Sequence, residues 1–183
     1  MRIIAGRFKG RKLVGFQAGH LRPTTDRVKE SLFNKLAEAV LGARVLDLFS
    51  GTGNLGLEAL SRGAEEVVFV DKSGKSLQIL DKNIALLGVK NEVQVVREEA
   101  FRFMKKWNAS PFDLLLVDPP FTQKIAHQVM VSLSQSKLVR IGGRVVIESG
   151  HQEWIGDQYP PFNLLDRRHF GDKSVSFFRL LGE

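Results

Sequence analysis

From Arg44 onward the apolar residues fall into short dense runs, separated by glycine turns and by longer stretches with helical spacing. Val45-Leu46-Asp47-Leu48-Phe49 reads as a strand and Asn54 to Arg62 as a helix. Glu66 to Val70 is a second strand, and Leu77, Leu80, Ile84 and Leu87 stripe a second helix that Gly88 closes. Val93 to Val96 is a third strand, followed by a helix through Phe101 and Met104. Phe112 to Val117 is an almost unbroken apolar run, the pattern of a parallel strand buried on both faces. A helix is predicted over about Lys124 to Lys137, after which Gly142-Gly143 opens a fifth strand, Arg144 to Glu148. Asn163 to Phe170 and Ser174 to Leu181 form a closing antiparallel pair around Gly171-Asp172. Strand–helix alternation of this kind predicts an α/β, Rossmann-like fold: a mostly parallel sheet with helices on both faces.

The first part of the chain follows another rhythm. Residues 2 to 16 alternate basic and apolar around Gly6, Gly10 and Gly15, which predicts a small β-hairpin. Ile3, Ile4, Phe8, Leu13 and Phe16 call for burial, which a solvated tail would not give them. Arg22 to Asp26 is a turn into a helix, with Thr24 or Asp26 as its N-cap and Val28, Leu32, Leu36 and Val40 as its apolar stripe. The expected division is therefore a basic extension over residues 1–22 and an α/β domain over 23–183.

Charge sharpens that division. The net charge is +7, and residues 1–35 carry the whole excess, nine basic side chains against Asp26 and Glu30. Arg2, Arg7, Lys9, Arg11, Lys12, Arg22 and Arg27 are the candidate contacts to a polyanion, nucleic acid above all. With no cysteine and four scattered histidines, disulfides, thiolate sites and a structural metal are not expected. No apolar run approaches the roughly 18 residues that span a bilayer, and the N-terminus lacks an apolar signal core. The expected compartment is the cytoplasm, and the expected state a monomer. Trp107 and Trp154 are read as packing residues.

Asp118-Pro119-Pro120-Phe121 is the strongest chemical signal. An acid at the carboxyl end of a buried parallel strand stands where open α/β sheets bind ligands. The prolines remove two backbone donors and stiffen the turn, leaving carbonyls to accept hydrogen bonds. A carboxylate, fixed carbonyls and an aromatic face together suit a planar group that bears an amine, such as a nucleobase.

The loop after the first strand carries Gly51, Gly53 and Gly56 in G-x-G-x-x-G spacing, with Asp71 ending the second strand about twenty residues on. A dinucleotide pyrophosphate would find Asp47 four residues ahead of Gly51 unfavourable. A ligand with a free amine and a sulfonium would instead be favoured by that acid. S-adenosylmethionine has both and no phosphate. Glu99, before Ala100, adds a third acid placed to meet an adenine amino group. Ser50 completes the loop.

Val45 to Leu60, Asp71 and the Asp-Pro-Pro-Phe turn resemble class I S-adenosylmethionine-dependent methyltransferases that act on amino groups. Arg2-Ile3-Ile4-Ala5-Gly6 and Leu21 to Asn34 resemble, more narrowly, the bacterial family that methylates the 2-amino group of guanine 966 in 16S ribosomal RNA. The resemblance runs nearly end to end, loosening over the last forty residues. It implies a seven-stranded sheet, a basic extension that grips RNA, and action on assembling small ribosomal subunits. It further implies that Asp47, Ser50, Gly51, Gly53, Asp71, Glu99 and Ala100 hold the cofactor, and that Asp118, Pro119, Pro120 and Phe121 hold the target base. Three rival readings stand beside it: a DNA adenine methyltransferase, which uses the same tetrapeptide, a nicotinamide oxidoreductase, which uses the same glycine loop, and a catalytically silent RNA-binding module.

Overall fold

Side-chain alternation along the strands builds a sheet with two covered faces. The computed structural model describes residues 1–16, 26–120 and 123–182. In β1 (Arg44–Leu48), Val45 packs on one face while Leu46 and Leu48 pack on the other. β2 (Glu66–Asp71) divides Val67 and Phe69 from Val68 and Val70 in the same way. β4 (Phe112–Val117) divides Leu114 and Leu116 from Leu115 and Val117. The first face is covered by α1 (Asp26–Leu36), α2 (Asn54–Ser61) and α3 (Gly74–Leu87). The second is covered by α4 (Ala100–Lys106) and α5 (Ala126–Ser134).

With β3 (Val93–Arg97), β5 (Val139–Gly150), β6 (Gln158–Tyr159), β7 (Phe162–Phe170) and β8 (Lys173–Leu180), the order is β3-β2-β1-β4-β5-β8-β7-β6. The first five strands are parallel and the last three join antiparallel. The seven expected strands are all present, and an eighth, β6, adds two residues at the edge by pairing with Asn163 and Phe162. Strand order reverses between β1 and β4, which opens a crevice beyond their carboxyl ends.

Three boundaries differ from the sequence reading. The Val28–Val40 stripe is buried throughout, yet α1 ends at Leu36, because Ala37 takes φ 45° and the chain continues as a 3-10 turn. The Gly142-Gly143 pair lies inside β5, not at its start, since Val139 already pairs with Phe112 across a bulge. α5 is shorter than predicted because Lys124, at φ 49°, holds the chain out of helical geometry just before it. No helix among the described residues is long and apolar enough to cross a membrane.

The N-terminal segment doubles back on itself, but its expected hairpin reduces to a single antiparallel bridge between Arg2 and Lys12. Its backbone bonds to the body more than to itself. The Ile4 and Ala5 amides donate to the Glu58 carboxylate at 2.8 and 3.1 Å, and the Arg7 amide donates to the Ser61 carbonyl at 2.8 Å. Gly6 makes this approach possible: a Cβ there would lie 1.8 Å from the Ser61 oxygen, at φ +82°. Ile3 and Leu13 enter the core of the first face, whereas Phe16 is 48% exposed. Glu58 is itself buried, held by Lys29 at 3.2 Å and Arg62 at 2.8 Å.

Candidate active site

Register brings the two candidate loops together. Leu48 pairs with Val117, so the glycine loop leaving β1 and the Asp118 turn leaving β4 emerge side by side. Leu48 also pairs with Val70, which puts Asp71 on the other flank. Asp71 in turn pairs with Arg97, just before Glu99 and Ala100.

The three glycines have separate tasks. At Gly51 (φ +54°) a Cβ would meet nothing within 4 Å, so this backbone is open to a ligand. Gly53 caps α2 at φ +87°, where a Cβ would strike Leu80 at 2.4 Å. Gly56 lets α2 lie on the sheet, since its Cβ would meet Phe69 at 2.3 Å. Phe49, read from the sequence as the last residue of the strand, instead turns the chain out of β1 at φ 66°. Strain of that kind concentrates at ligand sites. The Ser50 hydroxyl is buried and has no hydrogen-bond partner among the described residues. An orphaned hydroxyl beside an open glycine fits a polar ligand.

Asp71 meets the loop at Gly51. Its Oδ2 accepts from the Gly51 amide and its Oδ1 from the Ser73 amide, both at 2.8 Å, and each oxygen keeps a second acceptor site for a ribose hydroxyl. Glu99 is exposed and caps α4, accepting from the Arg102 amide at 3.0 Å, so any adenine contact shares its carboxylate with the cap. Ala100 opens α4, where first-turn amides lack intrahelical partners.

Asp47 faces inward. Its Oδ2 accepts from the Gly56 amide at 2.8 Å, and the residue is 1% exposed. Burial pushes its carboxyl from 3.8 up to about 7, against the Gly56 hydrogen bond and with help from Asp71. The folded protein thus holds this proton more tightly than the unfolded chain, and the stability tied to it is lost as pH rises from about 4 through about 7. Asp47→Asn keeps the acceptor and removes the titration. Its melting temperature relative to the unsubstituted protein should therefore climb between pH 5 and pH 8, by about 2 kcal/mol or roughly 5 °C. A difference that stays flat across that range would show that Asp47 does not titrate there.

At the Asp118 turn, Asp118 is half-buried, Pro119 buried and Pro120 exposed. The Pro120 carbonyl accepts from the Gln123 amide at 3.0 Å, so not every carbonyl of the turn stays available. Among the described residues no donor bonds the Pro119 carbonyl. Phe121 lies outside the described residues, as do Arg22, Thr24 and Thr25.

The basic candidates separate into two groups. Lys9, Arg11, Lys12 and Arg27 are exposed. Arg2 pairs with Asp26 at 2.7 Å and Arg7 with Glu92, so each already has an anionic partner. Lys29, counted in the basic excess, is an interior residue at 1% exposure. Trp107 packs against Phe103 and Phe112, as expected, but Trp154 is 68% exposed with its ring against His127.

Residues 1–179 match the family described as Conserved hypothetical protein 95. Ribosomal RNA small subunit methyltransferase D of Escherichia coli K12 is 38% identical over 149 residues, which cover 81% of this chain and 74% of that protein. The chain belongs to the methyltransferase D family. A Bacillus subtilis member named "Putative rRNA methyltransferase YlbH" is 32% identical over 184 residues, with both chains covered in full. A solved structure named "Putative methyltransferase yhhF from Escherichia coli" superposes with a TM-score of 0.89 at 30% identity, covering 100% of this chain and 99% of that one. Membership bears out the family resemblance carried by the N-terminal block and the Asp-Pro-Pro-Phe turn. The nicotinamide reading of the glycine loop falls with it.

Proposed function

We propose that this methyltransferase D family member transfers the methyl group of S-adenosylmethionine to the exocyclic 2-amino group of a guanine in 16S ribosomal RNA. The pairing of Leu48 with Val117 carries the reading, because it sets a cofactor loop and an amine-binding turn on neighbouring strand ends. Gly51, the Ser50 hydroxyl, which has no partner among the described residues, and Asp71 suit S-adenosylmethionine, whose methyl is already activated on a sulfonium. The acceptor is the harder partner, since its lone pair is delocalised into the purine.

Asp118 and the Pro119 carbonyl each accept one N–H of that amine and orient its lone pair toward the glycine loop. Orientation of this kind supplies up to ~7–11 kcal/mol in favourable cases. The Asp118 carboxylate then takes the proton the amine releases. Lys9, Arg11, Lys12 and Arg27 meet phosphates, contacts that are individually weak and sensitive to salt. An RNA substrate of this class places the work in the cytoplasm.

The test presents labelled S-adenosylmethionine with small-subunit particles, naked 16S ribosomal RNA and duplex DNA, followed by mass analysis of the nucleosides. N2-methylguanosine from one of the RNA substrates is the expected product. N6-methyl-2′-deoxyadenosine from the DNA, with RNA unlabelled, would replace this reading with the DNA adenine one.

A further inference from the structure

Two buried polar side chains bond the N-terminal segment and the glycine loop at once. Asn83 of α3, 0% exposed, accepts from the Val14 amide at 2.8 Å and donates to the Val14 carbonyl at 3.0 Å and to the Thr52 carbonyl at 3.1 Å. Lys29 of α1 donates to the Arg2 carbonyl at 2.6 Å and to Asn54 Oδ1 at 2.9 Å. A third link runs from the Thr52 hydroxyl to the Met1 sulfur at 3.6 Å. Thr52 and Asn54 flank Gly53 inside the candidate cofactor loop. The outer side of the same segment carries Lys9, Arg11 and Lys12 in solvent.

We infer that Asn83 and Lys29 are positioning residues that couple the basic arm to cofactor binding, so that RNA on the arm tightens the cofactor and the cofactor steadies the arm. Coupling of this kind requires two states of the arm, docked and released. Docked, it holds the carbonyl of Thr52 and the side chain of Asn54 through these two residues, and it presents its cations on the body that bears Asp118. Released, it no longer fixes the two side chains that hold the loop, and it carries the cations away from that body. A cofactor that needs the held loop and an RNA that must reach arm and turn together both favour the docked state. Each then raises the affinity of the other by one shared factor.

Asn83 and Lys29 need not touch either ligand. Burial also explains why both are exacting: a Lys29 ammonium at 1% exposure uses all three donors, on Arg2, Asn54 and Glu58. The Asn83 amide uses both donor and acceptor faces.

The inference rests on the cofactor reading, and hydrogen exchange with S-adenosylhomocysteine as the probe separates the two. In the unsubstituted protein, saturating S-adenosylhomocysteine should slow exchange at the loop amides of Gly51 to Asn54 and, by at least ~5-fold, at the arm amides of Ile3, Leu13 and Val14. In Asn83→Ala the loop should still respond while the arm no longer does. A 16S ribosomal RNA transcript should lower the dissociation constant for S-adenosylhomocysteine by a similar factor, an effect absent from Asn83→Ala and from the Lys9, Arg11 and Lys12 triple alanine variant. Protection of the loop with no change in the arm of the unsubstituted protein would overturn the coupling and leave the cofactor reading standing. Protection of neither would overturn both. Because the decisive comparison uses the unsubstituted protein, a variant that fails to fold does not decide it.

Discussion

Asp118→Ala is expected to lower methyl transfer by at least ~100-fold while S-adenosylhomocysteine binds within about 2-fold of its original affinity. The separation follows from the register of the sheet. Asp118 follows the residue paired with Leu48, so it stands next to the glycine loop without being part of it. It is half-buried at the mouth of the crevice, where a carboxylate can accept from an amine and then take a proton. Asp118→Asn keeps one acceptor oxygen and loses the proton acceptor, so its rate should fall between the two. Single-turnover transfer of labelled methyl to small-subunit RNA, set beside calorimetric titration of S-adenosylhomocysteine, reads both quantities. A loss of less than about 10-fold would remove Asp118 from the chemistry, and an equal loss of cofactor affinity would reassign it to the loop.

The largest effect on stability should come from Glu58→Ala. Glu58 has no solvent exposure, and four groups depend on it: the amides of Ile4 and Ala5, the Arg62 guanidinium and the Lys29 ammonium. Its removal leaves the buried Lys29 ammonium, the half-buried Arg62 guanidinium and two backbone donors without their carboxylate. Breaking a buried ion pair from one side costs about 3–5 kcal/mol. Burial already lowers the Lys29 pKa and Glu58 opposes that, so without the carboxylate Lys29 loses its main support for the charged form. Urea unfolding should show the loss, and faster exchange at the Ile4 and Ala5 amides should show that the N-terminal segment is where it is felt. A change below ~1 kcal/mol would mean that burial of Ile3 and Leu13 and the bonds to Ser61, Asn83 and Lys29 hold the segment without Glu58. Glu58→Gln, which keeps two acceptor sites on one oxygen, should cost less than the alanine.

These two residues also mark how far a linear reading reaches. Asp118 was legible because its surroundings are local: an apolar strand before it, two prolines after it. The same holds for the glycine loop, for the Gly88 stop of α3, taken at φ 71°, and for the closing pair of strands. Period-two and helical spacing assign residues to faces, and a strand end is a place, so motifs at strand ends come with coordinates of a kind.

Partnership across distance has no such signature. Glu58 meets Ile4 from 54 positions away, and Asn83 meets Val14 from 69. Lys29 was counted in the basic excess because its charge says nothing about the carboxylate that folding sets beside it. Asp47 was set facing a ligand because β1 was read as a strand, without α2 lying across it at Gly56. The one hint available was Asn83, a polar residue among the apolar stripe of α3.

The order of residues was thus enough for the fold, the family and the two loops that face each other, because hydrophobic period and turn chemistry act over a few positions. Which charges lie inside, and what the basic segment is fastened to, depended on the packed molecule. Burial and electrostatic pairing are set by whichever segments the sheet and its helices bring within a few ångströms.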